Sequence, residues 1–166
     1  MSFRRVRNIS VQYFRHLMNR IDWENRLIQL MGARGTGKTT MMLQRIRTAF
    51  PDSQEALYLS LDHLWFKTHS VYDAVEAHVQ NGGTHVFLDE VHYDDNWELL
   101  IKNLYDDFPS LYIVYTGSSI LKLRKAQADL SRKQSEYVLP GLSFIEYLEL
   151  EGHRGIQSVS LEEISV

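Results

Sequence analysis

The chain has no cysteine in its 166 residues. Disulfides and thiolate metal sites are therefore excluded, and a reducing cytoplasm is the expected setting. Long apolar runs are missing as well. Nothing approaches the ~20 residues that a membrane-crossing helix needs, so no membrane partner is expected. The basic N-terminus lacks the apolar stretch of a signal peptide. There is no internal repeat and no low-complexity tract. His63, His69, His78, His85 and His92 show no metal-ligand spacing, and no zinc site follows from them. No Ser-His-Asp arrangement can be inferred either.

What remains is an ordinary globular composition, with 44% hydrophobic and 23% charged residues. The length suits one domain, and a chain of this size buries about 70% of its unfolded surface. The net charge of −3 is unevenly spread. Residues 1–50 hold ten Lys or Arg against two Asp or Glu, while residues 51–120 hold two against twelve. A basic first third suits an anionic ligand. Arg4, Arg5 and Arg7 are either nucleic-acid contacts or a solvated arm. Net charge does not support a nucleic-acid partner, and no aromatic residue interleaves with them at stacking spacing.

That basic third carries Gly32-Ala33-Arg34-Gly35-Thr36-Gly37-Lys38-Thr39-Thr40. The run matches G-x-x-x-x-G-K-[ST], the phosphate-binding loop. Its context is also right. Arg26–Met31 is a short apolar stretch, as a buried strand would be. Met41, Met42, Ile46 and Phe50 follow at helical spacing. Glycines let backbone N–H groups reach phosphate oxygens, and the helix N-terminus adds partial positive charge. Lys38 would reach the β- and γ-phosphates of a nucleotide, and Thr39 would ligate Mg²⁺.

Further along, strands are expected at Glu55–Leu61, His85–Asp89, Leu111–Thr116 and Glu136–Leu139. Helices are expected at Val71–Gln80, Asn96–Phe108, Ser119–Leu130 and Phe144–Glu151. Alternation of this kind predicts a layered α/β fold with parallel pairing. Ligands should bind at the C-terminal ends of the strands. Before the first strand, Ile9, Tyr13, Phe14, Leu17, Met18 and Ile21 make one apolar face of a helix over Asn8–Asp22. Ser10 would cap that helix, and residues 1–25 would pack on the core as a helical lead-in.

The third strand ends in Asp89-Glu90. A carboxylate closing a buried strand needs a partner or a cation, so Asp89 suits the Mg²⁺ side of a phosphate site. Glu90 would orient and polarise the attacking water for in-line displacement. The fourth strand runs into Thr116-Gly117-Ser118-Ser119. Thr116 and Ser118 are either sensors of the γ-phosphate, or the turn is a plain one with Ser118 or Ser119 as N-cap. Arg124 and Arg132 are either solvated or act as an arginine finger on a neighbouring subunit.

The segments GARGTGKTT, VFLDEVHY, YTGSS and LPGLSFIEYLELEG together resemble bacterial and archaeal AAA-type ATPases that carry a fused C-terminal domain of uncharacterised function. The likeness covers almost the entire chain, and GLSFIEYL is its most distinctive part. It implies a P-loop NTPase three-layer sandwich, with a mainly parallel five-stranded sheet in order 5-1-4-3-2 and helices on both faces. It also implies ATP and Mg²⁺ as cofactors. Lys38, Thr39, Asp89 and Glu90 take the roles given above, and a sensor lies near Thr116–Ser118. Two departures stand out. Ser131 occupies the place of a usual Gly before the arginine, here Arg132, and Ala33 stands where relatives often have Pro. Such proteins usually continue into a lid and a further domain, so residues 1–166 look like an isolated ATPase core.

The leading expectation is Mg-dependent ATP hydrolysis coupled to conformational change in a larger protein, with a homo-oligomer or another protein as partner. The alternatives are a nucleotide-dependent interaction module with negligible turnover, or a small-molecule phosphotransferase. ATP rather than GTP rests on the resemblance, and no guanine-reading N-K-x-D motif is present.

Overall fold

The structure is a computed structural model and describes residues 6–51, 54–117 and 133–153. Strand β1 (Leu27–Met31) is buried at all five positions, as a strand covered on both faces must be. Helix α1 (Lys38–Ala49) starts directly after Gly37, which takes a left-handed φ of 97°. Strand β2 (Ala56–Ser60) is followed by helix α2 (Val71–Gln80), whose N-cap Ser70 accepts from the Asp73 N–H at 3.1 Å. Then come β3 (His85–Asp89), α3 (Trp97–Asp107) and β4 (Tyr112–Gly117). Strand β5 (Ser135–Val138) and helix α4 (Phe144–Leu150) close the described chain.

All strand pairings among the described residues are parallel, and the sheet order is β2-β3-β4-β1-β5. This is the expected 5-1-4-3-2 order read from the other edge. Side chains alternate between two cores, because successive residues of a strand point to opposite faces. Leu27, Val86, Leu88, Ile113 and Tyr115 pack with Val75, Ile101 and Leu104 of α2 and α3. Ile28, Leu30, Phe87 and Val114 pack with Met41, Met42 and Ile46 of α1. Helices thus cover both faces and complete the three-layer sandwich.

Register fixes where a ligand can sit. Met31 pairs with Gly117 and with Val138, and Ser60 pairs with Asp89, so the strands end along one edge. From β1 the chain crosses to β2 at one side of the sheet, whereas from β4 it crosses to β5 at the other. The crevice at that reversal is where open α/β sheets bind ligands.

The N-terminal segment departs from expectation. Instead of a continuous helix over Asn8–Asp22, α-helical backbone ends at Asn8 and is followed only by a 3-10 turn, His16–Asn19, preceded by extended chain at Arg15. Side chains of α1 take the carbonyls a helix would have used. Gln44 Nε2 donates to Ser10 O and Tyr13 O, both at 2.8 Å, and Arg47 donates to Ile9 O at 2.8 Å. Ser10 caps no helix; its hydroxyl accepts from Gln12 N at 3.4 Å. The apolar residues still turn inward, since Met18 and Ile21 are buried against the α1 core. Two further 3-10 turns, Leu64–Lys67 and Val91–Tyr93, were not expected. The helix expected over Ser119–Leu130 lies outside the described residues.

Candidate functional site

The Gly32–Thr40 loop leaves the end of β1 and enters α1. Gly32 has no room for a side chain: a Cβ there would lie 2.5 Å from Leu139 O and 2.9 Å from Thr36 Oγ1. Gly35 and Gly37 take φ of 84° and 97°, a region other residues rarely enter. Ala33, Arg34, Gly35 and Thr40 are exposed, and Thr36, Gly37 and Thr39 are half-buried. The Lys38 ammonium is buried at the centre and donates to Gly32 O and Ala33 O, both at 2.9 Å. Burial lowers its pKa, and the nearby Glu90 and Asp89 carboxylates oppose that shift. The loop therefore holds a cation folded against its own carbonyls.

Across from the loop, Asp89 closes β3 with a buried carboxylate. Three hydroxyls from three elements serve it. Thr39 Oγ1 donates to Oδ2 at 2.7 Å, and the Tyr58 hydroxyl donates to the same oxygen at 2.8 Å. Thr116 donates to Oδ1 and accepts from the Glu90 N–H at 3.0 Å. Thr116 is fully buried. A direct contact with a phosphate would require its hydroxyl to leave both partners.

Glu90 follows with φ 55° and ψ 47°. Among the described residues it is the only non-glycine at positive φ. Such a conformation costs on the order of 1–3 kcal/mol and persists where surroundings enforce it, often at functional sites. Here the Glu90 N–H bonds Thr116, and one carboxylate oxygen lies 3.2 Å from His92 Nδ1. The arrangement thus brings Gly32–Thr40, Asp89, Glu90 and Thr116 to one edge of the sheet. Ser118, Arg124 and Arg132 lie outside the described residues.

Among the described residues, no group of three or more His, Cys, Asp or Glu side chains could hold a metal ion. Mg²⁺ does not need one. It keeps several waters and binds through one or two carboxylates plus substrate phosphates. One carboxylate at Asp89 and one hydroxyl at Thr39, 2.7 Å apart, are hard oxygen donors that fit such a site.

Sequence reasoning missed three residues. Tyr58 lies within the apolar run of β2, and no motif marks it. Arg15 lies in the segment read as an amphipathic helix. Its guanidinium donates to both oxygens of Glu146, at 2.9 and 3.2 Å, to Thr36 O at 2.7 Å, to Pro140 O at 2.9 Å and to Gly141 O at 3.0 Å. Glu146 also accepts from the N–H groups of His16 and Ser143, each at 3.0 Å. Burial alone would raise the Glu146 pKa. The bonds from Arg15, Ser143 and His16 outweigh it and hold the carboxyl at about 2. The S-x-x-E spacing of Ser143 and Glu146 is a capping-box signal that could have singled out this glutamate.

A family model described as the AAA domain matches residues 24–148. The chain belongs to the AAA domain family. A protein of Methanocaldococcus jannaschii described as uncharacterised is 36% identical over 147 residues, covering 83% of this chain and 31% of that protein. The replicative DNA helicase DnaB of Helicobacter pylori is 26% identical over 146 residues, covering 80% of this chain and 28% of the helicase. The chain thus spans under a third of the length of these relatives. Among solved structures, AMPPCP-bound DnaA from Aquifex aeolicus aligns with TM-score 0.49 and 16% identity over 98% of this chain and 52% of that one. PCH-2 of C. elegans aligns with TM-score 0.47 and 20% identity over 87% and 46%. Family membership supports nucleotide binding and an ATPase assignment. No described helix is long and apolar enough to cross a membrane.

Proposed function

We propose that this chain is an AAA-type ATPase core that binds ATP with Mg²⁺ and hydrolyses it to ADP and phosphate. The observation that carries the reading is the Thr39–Asp89–Thr116–Glu90 chain of hydrogen bonds beside the glycine loop. It ties a candidate metal-binding pair to the backbone of the candidate water-orienting residue through one hydroxyl.

Each residue then has a task. The backbone N–H groups of the loop receive phosphate oxygens, which Gly35 and Gly37 permit by their positive φ. The Lys38 ammonium exchanges its two carbonyl partners for β- and γ-phosphate oxygens. Thr39 and Asp89 would hold Mg²⁺, which when bound would neutralise charge developing on the phosphates. Thr116 keeps Asp89 and the Glu90 backbone in fixed relation. The Glu90 carboxylate turns from His92 to orient the attacking water and take its proton. The protein's conformational response would come from contacts made only while the γ-phosphate is present. We further propose that the chain forms one core to which the N-terminal segment belongs, and that Arg132 acts as an arginine finger on a neighbouring subunit.

The test is a thermal melt with MgATP, MgADP and MgGTP, run beside Lys38→Ala. A nucleotide at about a hundred times its Kd adds roughly 2.7 kcal/mol to stability. A shift with adenine nucleotides that disappears in the variant is the expected result, and turnover then follows with Glu90→Gln. Loss of most of the rate in Glu90→Gln supports hydrolysis. A low rate that this variant leaves unchanged would instead favour a binding module.

A further inference from the structure

We propose that Arg15 is a positioning residue of the nucleotide site. It fixes the phosphate loop and ties it to the turn after β5 and to helix α4, so that nucleotide binding and the order of that region are coupled. The proposal rests on the nucleotide reading above.

The guanidinium is planar and presents several donors in a fixed fork, so its partners are held in fixed relation to one another. Here the fork makes five bonds to three separate segments: the loop at Thr36, the turn at Pro140 and Gly141, and α4 at Glu146. Arg15 and Glu146 are both buried. A buried charge must be paired and hydrogen-bonded to be tolerated, and the fork meets that demand only while all three segments are in place.

The contact at Thr36 is the one that bears on phosphate. Thr36 lies between Gly35 and Gly37, both at positive φ, in a stretch whose backbone has wide freedom. The Thr36 carbonyl and the Gly37 N–H belong to one planar trans peptide, so they point in opposite directions. Pinning the carbonyl to Arg15 at 2.7 Å therefore aims the Gly37 N–H away from Arg15. Removing the fork returns that peptide to the freedom the two glycines allow, and an N–H that must be ordered on binding weakens affinity.

The contact at residues 139–141 closes a second path. Leu139 N donates to Met31 O at 2.8 Å. Leu139 O lies 2.5 Å from where a Cβ on Gly32 would be. One short turn thus touches the start of the loop directly and its far side through Arg15. Helix α4 follows at once, anchored to the fork by Glu146. Coupling between two sites is reciprocal in binding free energy, so a change at Glu146 should be felt by the nucleotide as a change at Arg15 is.

The experiment measures the Kd for MgADP together with amide hydrogen exchange over residues 143–152. It uses the wild type, Arg15→Lys, Glu146→Gln and, as a destabilised control on the opposite face of the sheet, Ile101→Ala. Arg15→Lys keeps a charge for Glu146 but loses the fork, and Glu146→Gln keeps the shape of α4 should the lysine variant fail to fold. In the wild type, MgADP should slow exchange over 143–152 by about fivefold or more. In both site variants Kd should rise about tenfold, as losing a charge-assisted bond implies, and the slowing should vanish. Ile101→Ala should melt earlier yet keep both the wild-type Kd and the slowing. Wild-type affinity in the site variants, persistent slowing in them, or an equal loss of affinity in Ile101→Ala would each overturn the coupling alone. A wild type that shows no MgADP binding would overturn the nucleotide reading, and the coupling with it.

Discussion

The Thr39 hydroxyl donates to Asp89 Oδ2 at 2.7 Å, joining the first turn of α1 to the end of β3. With Tyr58 and Thr116 it surrounds a buried carboxylate with hydroxyl donors. Hydroxyls can turn away when a stronger partner arrives. We expect Asp89→Asn to keep the fold, because an amide oxygen still accepts, and to cost about 1–2 kcal/mol through the mismatched NH₂ group. It should also abolish the difference in melting shift between ATP with Mg²⁺ and ATP with chelator. The thermal melt in both media checks this.

Tyr58→Phe removes one donor to a carboxylate in a buried setting. Stability should fall by about 2 kcal/mol, with the urea m-value unchanged. Mg²⁺-dependent nucleotide affinity should fall less than in Asp89→Asn, since Thr39 and Thr116 still orient the carboxylate. Urea titration and nucleotide titration read the two effects separately.

Gly32→Ala sets a methyl group 2.5 Å from the Leu139 carbonyl, which is backbone and cannot swing aside. Overpacking of this kind costs about 1–3 kcal/mol. The variant should melt lower and lose its nucleotide shift. Gly35→Ala meets no atom within 4 Å, and its cost should come from φ alone, about 1 kcal/mol.

Glu146 predicts a pH dependence. Its carboxyl lies at about 2 in the folded chain against 4.5 as a reference. The folded state therefore keeps the carboxylate charged at acidities where the unfolded chain binds a proton. The stabilisation is complete above about pH 4.5 and is lost as pH falls toward about 2. Glu146→Gln should be less stable than wild type at pH 6, with the gap narrowing below pH 4.5. Denaturant titrations from pH 6 down to pH 3 measure it.

The sheet was legible because its strands are short apolar runs broken by helix periods and glycine turns. Val71–Gln80 and His85–Asp89 match expectation residue for residue. The phosphate loop and Asp89-Glu90 were legible because their chemistry lies in consecutive residues. The N-terminal segment was not, although its apolar spacing is helical. What decides there is the set of side-chain donors Gln44 and Arg47, an event of tertiary packing that outweighs a local period. Tyr58 and Arg15 escaped for a related reason. Tyr58 meets Asp89 and Arg15 meets three segments far along the chain, and no local spacing encodes such meetings.

Strand β1 has a further consequence for how the chain comes to be. Its neighbours are β4 and β5, the last of the described strands to be made, while β2 and β3 pair with each other sooner. At about 5–20 residues per second of synthesis, the phosphate loop leaves the ribosome several seconds before either flank of its own strand exists. During that interval Leu27–Met31 is a bare apolar segment with open edges. Its safety then depends on early cover from α1, on chaperone capture, or on the speed with which β4 arrives.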